Sequence, residues 1–266
     1  MGEFFDRLGR SPILSPRNFQ YACAASGILC AITFMLTFIA AGFWPPARPW
    51  WDAERTAKHY RDHETGIKAG SALIVLAGMF YLPFSVAISA QMRRIPKLHY
   101  IVSALQLAAG AAGIFVFMMP GAILAVANYR PGRSAEITEA LNDLFWITVL
   151  LPWPTFLLQE FAFAYAILID VRPKPLFPKA MAILNIVSPI IYVPAIAVHC
   201  VRSGIFAWNG VWNFWLAGVV FCIQLTLDAL CLIRAIKTES EQGEKSVDSF
   251  PITLETMESG ESAERG

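Results

Sequence analysis

Six long apolar stretches follow one another along this 266-residue chain. A helix of about 20 residues crosses the ~30 Å hydrocarbon core of a bilayer, and each stretch is long enough to do so. They cover residues 21–43, 67–90, 100–126, 144–169, 180–201 and 211–233. Only 15% of the residues are charged, against roughly a quarter in soluble domains. The sequence therefore predicts an all-α fold, a polytopic transmembrane helix bundle of about six spans.

Prolines interrupt most of these stretches, at Pro83, Pro120, Pro152, Pro154, Pro189 and Pro194. Each removes a backbone donor and tends to kink its helix. Such kinks serve packing in many membrane helices, where proline is common, but interrupted helices also form the sites of transporters. The best candidate for a site is LPWPTF, where Pro152 and Pro154 precede Glu160.

Basic residues flank alternate connections between the spans. They are Arg7, Arg10 and Arg17, then Arg93, Arg94 and Lys97, then Arg172, Lys174 and Lys179, and finally Arg234 and Lys237. Lys and Arg are enriched in cytoplasmic segments near span ends. We therefore predict a multi-pass protein of the cell inner (plasma) membrane with both termini cytoplasmic.

The composition changes after Lys237 to a polar segment rich in glutamate. Such a segment has too little apolar surface to fold alone. The predicted division is a transmembrane helical domain at 1–237 and an acidic disordered cytoplasmic tail at 238–266.

Polar side chains recur at one depth, in the half of the bilayer near the basic connections. Counting from the span ends places Glu160 level with Gln106, Asn185, Gln224 and Asp228, on four different spans. Gln224 and Asp228 share a helix face, because they are four residues apart. Polar groups in a bilayer usually face the bundle interior or a wet cavity. We predict that these five residues line a substrate or proton pathway.

The charge state of Glu160 depends on its neighbours. No Lys or Arg is expected at its depth, so burial favours the neutral acid unless Arg93 or Arg94 reaches inward. A carboxyl group that exchanges its proton can couple transport or act as a general acid. The alternative is that Glu160 and Asp228 only join helices, by hydrogen bonds that contribute about 0.6 kcal/mol each.

The segment WWDAERTAKHYRDHETG predicts a short surface helix capped by Asp52, with Ala53, Ala57 and Tyr60 on its membrane-facing side. His59 and His63 are spaced so that both could face a metal ion. Two histidines among many charges more often form a solvated face, so no metal site is predicted.

Seven of the eight tryptophans lie near the ends opposite the basic connections: Trp44, Trp50, Trp51, Trp146, Trp208, Trp212 and Trp215. We expect these rings to anchor at the lipid headgroups. Only Trp153 is expected deep in the bundle.

The five cysteines all lie in apolar runs, at Cys23, Cys30, Cys200, Cys222 and Cys231. An odd, buried set does not predict a disulfide framework. We interpret them as small core residues.

Several function classes have no motif in the chain. It contains no G-x-x-x-x-G-K-[ST], H-E-x-x-H or G-x-S-x-G sequence, so no cofactor and no ATP-driven transport by this chain alone is predicted. A net charge of +1 without a cluster of Lys and Arg gives no reason to expect nucleic acid. The expected partners are the lipid bilayer and a small-molecule substrate.

Three segments, ISAQMRRI, YRPGRSAEITEALNDLFW and GIFAWNGVWNFW, give the chain a likeness beyond composition. In the order of these three motifs, the chain resembles a group of uncharacterised bacterial polytopic integral membrane proteins. The resemblance implies a multi-helix membrane fold and carries no activity, substrate or catalytic residue.

The leading hypothesis is a protein that moves, or helps to move, a small apolar or weakly polar molecule across the membrane. One alternative is an intramembrane enzyme that uses Glu160 and Asp228 for acid–base chemistry on a lipid-soluble substrate. The other is an accessory membrane subunit without a site.

Overall fold

A computed structural model describes residues 11–130 and 132–248 of the chain, and within these ranges the fold is helical and has no strand. Six helical segments are long and apolar enough to cross a membrane. They are Pro16–Ala40, Glu64–Met92, Tyr100–Tyr129, Ala135–Ile169, Ala180–Cys200 and Val211–Glu239, named here the first to sixth spans. The predicted all-α bundle of about six spans is confirmed. The prediction that both termini lie on one side of the membrane, in the cytoplasm, stays a prediction.

The first two spans pack closely because glycines on the second span meet the backbone of the first. A side chain at Gly66 would overlap the carbonyl oxygen of Ala40, and a Cβ atom at Gly70 would lie 2.9 Å from the carbonyl oxygen of Thr37. Small residues at such positions let membrane helices approach each other. The second span also packs against the third and sixth spans, so it lies centrally in the bundle.

Four of the spans are interrupted. The third divides into Tyr100–Ala112 and Phe115–Tyr129, and the fourth into Ala135–Leu150 and Pro154–Ile169. The fifth continues from helix Ala180–Tyr192 into a 3-10 segment, Val193–Cys200, and the sixth begins with a π-helical segment, Val211–Leu216, before helix Ala217–Asp248.

The positions of the prolines explain only part of this pattern. Pro83, Pro120 and Pro189 lie inside continuous helices, whereas the break in the third span falls at Gly113 and Ile114, where there is no proline. The break in LPWPTF, after Leu150, is the one that sequence reasoning singled out.

The helix of the sixth span continues past the predicted domain boundary at 237, because it ends at Asp248. Residues 249–266 lie outside the described residues. The prediction of a disordered tail therefore falls largely on a part of the chain that the structure does not describe, and it stays a prediction.

The surface helix forms as predicted, over Ala53–Asp62, and its N-cap Asp52 accepts a hydrogen bond of 2.8 Å from the backbone N–H of Arg55. Its buried face covers the fourth span rather than lipid. Ala57 and Tyr60 are 3% exposed, and the Tyr60 hydroxyl donates to Asn142 Oδ1 at 3.4 Å.

The tryptophans gather at one end of the bundle, named here the tryptophan-rich end, but not all of them lie where headgroups could reach. Trp44 and Trp50 are about half exposed, whereas Trp146 and Trp208 are buried and stack on each other with ring centroids 6.2 Å apart. The anchoring prediction is therefore wrong for these two rings. They pack in a protein core, because the segment before the sixth span folds back over the fourth.

No disulfide joins the five cysteines, which are all free. Cys23 and Cys30 are buried core residues as predicted. Cys200 is exposed, because it lies at the end of the fifth span, and does not belong to the core.

Candidate functional site

Glu160 lies on helix Pro154–Ile169 and turns into the bundle, where it is 7% exposed. Its side chain and that of Gln224 line the same cavity. The second carboxyl oxygen, Oε2, has no hydrogen-bond partner among the described residues. Buried polar atoms without a partner are rare in native proteins. On the fourth span, this oxygen and Trp146 Nε1 are the two buried side-chain polar atoms without a partner among the described residues.

A chain of hydrogen bonds links the fifth and sixth spans beside Glu160. Asn185 Nδ2 donates to Asp228 Oδ1 at 3.0 Å, and Gln224 Nε2 donates to Asn185 Oδ1 at 3.2 Å. The Tyr192 hydroxyl donates to Gln224 Oε1 at 2.9 Å. Four of the five predicted site residues, Glu160, Asn185, Gln224 and Asp228, thus form one group, named here the polar cluster.

The polar cluster surrounds a small cavity, named here the Glu160 cavity. All of its lining residues are buried, and none of them is a lysine or arginine: Tyr81, Phe84, Ile88, Gln159, Glu160, Phe163, Asn185, Phe221, Gln224, Leu225 and Asp228. Only about 10 Å³ can hold the centre of a water molecule, which is room for about one water. In this conformation the cavity can hold a water molecule and a proton, but no larger substrate.

The fifth predicted residue, Gln106, is elsewhere. It is fully buried but donates from Nε2 to Ser85 Oγ of the second span at 3.3 Å and does not line the cavity. Its helix turns this side chain towards the second span. Counting residues gives the depth of a side chain, whereas its direction depends on helix packing.

Sequence reasoning missed three members of the site. The Tyr81 hydroxyl donates to Gln159 Oε1 at 2.5 Å, and both residues line the cavity. Tyr192 reaches Gln224 as described. Gln159 had a usable signal, because it stands beside Glu160 in an apolar run, but tyrosines on a helix resemble ordinary core residues.

An aromatic layer covers the Glu160 cavity on the side of the tryptophan-rich end. It consists of Trp153, Phe156 and Phe221, whose ring centroids are 5.1–5.6 Å apart. Trp153 lies at the break in LPWPTF and its Nε1 donates to the carbonyl oxygen of Val149 at 2.5 Å. The proline-rich break therefore places a buried ring between the cavity and this end of the protein.

At the opposite end, basic residues surround a larger cleft, with about 530 Å³ that can hold the centres of water molecules. Arg94, Arg172, Lys174 and Arg234 line it. The Arg172 guanidinium donates to both carboxyl oxygens of Asp170, at 2.7 and 2.6 Å, and these hydrogen bonds lower the pKa of Asp170 to about 2. Arg94 pairs with Glu239 at 3.4 Å and not with Glu160.

His59 of the surface helix and His63, which directly follows this helix, stack on each other with ring centroids 4.3 Å apart. His59 also lies over Phe43 and its Nε2 is 3.1 Å from the carbonyl oxygen of Ala41. Burial, and then the neighbouring His63, lowers the pKa of His59 to about 4. Among the described residues, no three His, Cys, Asp or Glu side chains are grouped so that they could hold a metal ion.

The fold and this site define a multi-pass integral membrane protein with a buried, carboxyl-containing polar cluster. The chain matches no protein family, no curated protein and no solved structure in comparisons with known proteins. The resemblance noted in the sequence thus gains no support from them.

Proposed function

We propose that this protein moves a small apolar or weakly polar molecule across the membrane, with proton exchange at Glu160 and Asp228 as part of the process. One observation carries the proposal: Glu160 Oε2 is buried without a partner in a cavity that has room for about one water. A carboxyl oxygen beside a water molecule can give up or take a proton.

The neutral form of Glu160 is expected in this conformation, because an ionised carboxylate without a cation in the cavity lining is costly to bury. The remaining members of the polar cluster are already bonded to one another. Proton release from Glu160 therefore requires a conformation in which water or a cation reaches it. This links the charge of Glu160 to the opening of the bundle.

The breaks in the fourth and fifth spans lie where such an opening would occur. The aromatic layer separates the Glu160 cavity from the tryptophan-rich end, and Trp153 of this layer contacts Tyr192, where the fifth span changes to 3-10 helix, with centroids 4.6 Å apart. A movement at either break would shift both the layer and Tyr192, which is bonded to Gln224. Interrupted helices serve this purpose in many transporters.

The test uses the full chain in liposomes that contain a pH-sensitive dye, with phenol, benzyl alcohol and indole added singly as probes. We expect a solute-dependent proton movement that is lost, by at least tenfold, in Glu160→Gln. The amide keeps hydrogen-bonding capacity but has no acidic proton. Glu136→Gln, at an exposed position on the same span, is the matched control and is expected to behave like the wild type.

Infrared spectroscopy supplies the second measurement. The band of a protonated carboxyl group is expected in the wild type between pH 5 and pH 9 and is expected to be weaker in Glu160→Gln. An unchanged band, or proton movement that persists in Glu160→Gln, would count against the proposal.

One observation favours the enzyme alternative, since Glu160 and Asp228 line the same enclosed cavity. An intramembrane acid–base enzyme would convert a lipid-soluble probe without moving it. Chemical analysis of the probes after incubation distinguishes the two, because transport returns each probe unaltered.

We also propose that the protein lies in the plasma membrane with both ends in the cytoplasm, as the distribution of basic residues indicates. Single cysteines placed in 45–64 or 130–143 are expected to react with an impermeant thiol reagent added outside intact cells. Cysteines at Lys97 or Lys174 are expected to react only after lysis, and the reverse pattern would invert the orientation.

A further inference from the structure

The tryptophan-rich end contains a second cavity, named here the aromatic pocket. Its empty space is about 430 Å³, including the open mouth. It lies between the first, fourth and sixth spans, and most of its wall is aromatic: Phe34, Phe38, Trp44, Trp146, Trp153, Phe214 and Trp215. Flat apolar molecules pack well against such rings, in edge-on or offset contacts.

Two buried polar atoms in the pocket residues have no partner among the described residues: the donor Trp146 Nε1 and the acceptor Asn213 Oδ1. Trp146 is fully buried and Asn213 is 2% exposed, so lipid headgroups and bulk water do not reach them. Leaving a buried polar atom unbonded costs about 1–3 kcal/mol. Both residues line the pocket.

Several other tryptophans near the pocket have indole N–H groups that are hydrogen-bonded. Trp208 Nε1 donates to the carbonyl oxygen of Ala47 at 2.7 Å, and Trp212 Nε1 donates to that of Ile191 at 2.8 Å. Trp153 Nε1 is bonded to Val149. Trp51 Nε1, outside the pocket, is buried without a partner among the described residues as well, so the pocket is distinguished by the combination of an unbonded donor and an unbonded acceptor.

The mouth of the pocket opens at the side of the bundle. Trp44, just after the first span, is 46% exposed, and Val219 on the sixth span is 50% exposed. Met35 and Trp215 are partly buried beside them. Exposed apolar side chains on spans face lipid, so a molecule dissolved in the bilayer reaches the pocket without crossing a polar surface.

We propose that the aromatic pocket binds a small ring compound that carries a hydroxyl group and enters from the lipid. The hydroxyl oxygen accepts from Trp146 Nε1 and its O–H donates to Asn213 Oδ1, while the ring packs among Phe34, Phe38 and Phe214. A hydroxyl is the smallest group that satisfies one donor and one acceptor. An organic cation without an acceptor would leave the Trp146 N–H unbonded, although aromatic walls attract cations.

Water is the competing occupant. About 30 Å³ of the pocket can hold the centre of a water molecule, which is room for about two waters. A trapped water could bond both atoms without any ligand. The proposal does not depend on proton exchange at Glu160, so the two can fail separately.

The experiment measures binding to the full chain in lipid nanodiscs by fluorine NMR. The probes are 4-(trifluoromethyl)phenol and (trifluoromethyl)benzene, which differ only in the hydroxyl group. We expect saturable binding of the phenol, about five- to tenfold tighter than that of the hydrocarbon, as one or two hydrogen bonds would give. Empty nanodiscs correct for partitioning into lipid.

Trp146→Phe keeps a ring and removes the N–H, so it is expected to weaken phenol binding about three- to tenfold and to leave the hydrocarbon unchanged. Trp208→Phe, in the same aromatic stack but outside the pocket, is the matched control and is expected to keep the preference. Gly218→Leu is expected to fill the pocket and abolish binding of both probes, because Gly218 lines it and a Cβ atom there has space.

Absence of saturable binding in the wild type would identify the pocket as a water-filled or empty structural cavity and overturn the proposal. Equal affinity for the two probes would overturn the proposed role of the hydroxyl group. If Trp146→Phe does not fold, the hydroxyl preference of the wild type and the loss of binding in Gly218→Leu decide the matter.

Discussion

The polar cluster around Glu160 and the aromatic pocket around Trp146 are built in opposite ways. In the polar cluster, side chains from the fifth and sixth spans bond to each other, and one carboxyl oxygen of Glu160 is left over in a cavity for about one water. In the aromatic pocket the walls are rings, the mouth faces lipid, and a donor and an acceptor both lack partners.

This difference indicates which occupant suits each region. A nearly complete set of hydrogen bonds with one free acid oxygen has room for a proton and a water molecule. An apolar space with two unbonded polar atoms suits a compound that is mostly apolar. The aromatic layer of Trp153, Phe156 and Phe221 separates the two regions, since Trp153 lines the aromatic pocket and Phe221 lines the Glu160 cavity.

The largest effect on stability is expected at the centre of the polar cluster. Asn185→Leu removes the side chain that bonds both Gln224 and Asp228, and it leaves their polar atoms buried without partners. We expect a loss of about 2 kcal/mol in the free energy of unfolding, measured by denaturation in mild detergent.

Trp146→Phe is the comparison variant, and it is expected to cost less, because its N–H has no partner to lose. Equal losses for the two variants would break the distinction between a bonded cluster and an unbonded pocket.

A smaller effect is expected at Asp170, whose carboxyl group is paired with a cation, unlike that of Glu160. Asp170→Asn should lower the free energy of unfolding at pH 7 by about 1 kcal/mol, since it loses charge-assisted hydrogen bonds to Arg172. The folded-state pKa of Asp170 is about 2, below its ordinary value near 4. Its contribution is therefore complete above about pH 4 and is lost as the pH falls to about 2.

Unfolding measured at pH 7 and at pH 2.5 should show a difference between wild type and Asp170→Asn that shrinks in acid. Asp62→Asn, a surface carboxyl paired with Lys58, is the control and is expected to change little, as exposed pairs do. A difference that grows in acid would contradict the sign of this prediction.

At the tryptophan-rich end, His59 is expected to make stability depend on pH in a higher pH range than Asp170 does. Its folded-state pKa is about 4, below the ordinary value of 6.5, so the unfolded chain takes up the proton first. Stability should fall as the pH drops from about 6.5 and level off below about 4. Thermal unfolding at intervals across this range measures it.

His59→Phe keeps the stack on Phe43 and is expected to flatten the pH dependence. His199→Phe, at an exposed position, should retain it. His63 stacks on His59 and Asp62 lies nearby, so a curve that flattens only in a His63 variant would assign the effect to that residue instead.

The smallest effect is expected from removing the acidic tail. A chain that ends at Glu239 retains the pair between Glu239 and Arg94, and the removed segment has little apolar surface to bury. Membrane insertion and the unfolding temperature should stay unchanged, whereas misfolding of this truncated chain would show that the tail docks on the bundle.

The sequence by itself determined the class of the protein and the burial of its main polar groups. The number of spans follows from the thickness of the hydrocarbon core, and the surface helix and its Asp52 cap follow from local hydrogen bonding. The burial of Glu160, Asn185, Gln224 and Asp228 follows from the high cost of polar groups in lipid. Each of these features depends on neighbouring residues or on a single span, so the sequence is enough to predict it.

Only the tertiary structure decided how the helices turn towards one another. It directed Gln106 to Ser85 and away from Glu160, brought Tyr81 to Gln159, and buried Trp146 in a core rather than at the headgroups. The rotation of each helix about its axis is set by side chains on its neighbours, and these contacts join residues far apart in the chain. The residues that share a cavity are therefore decided by packing across spans, which the pattern along any one span does not contain.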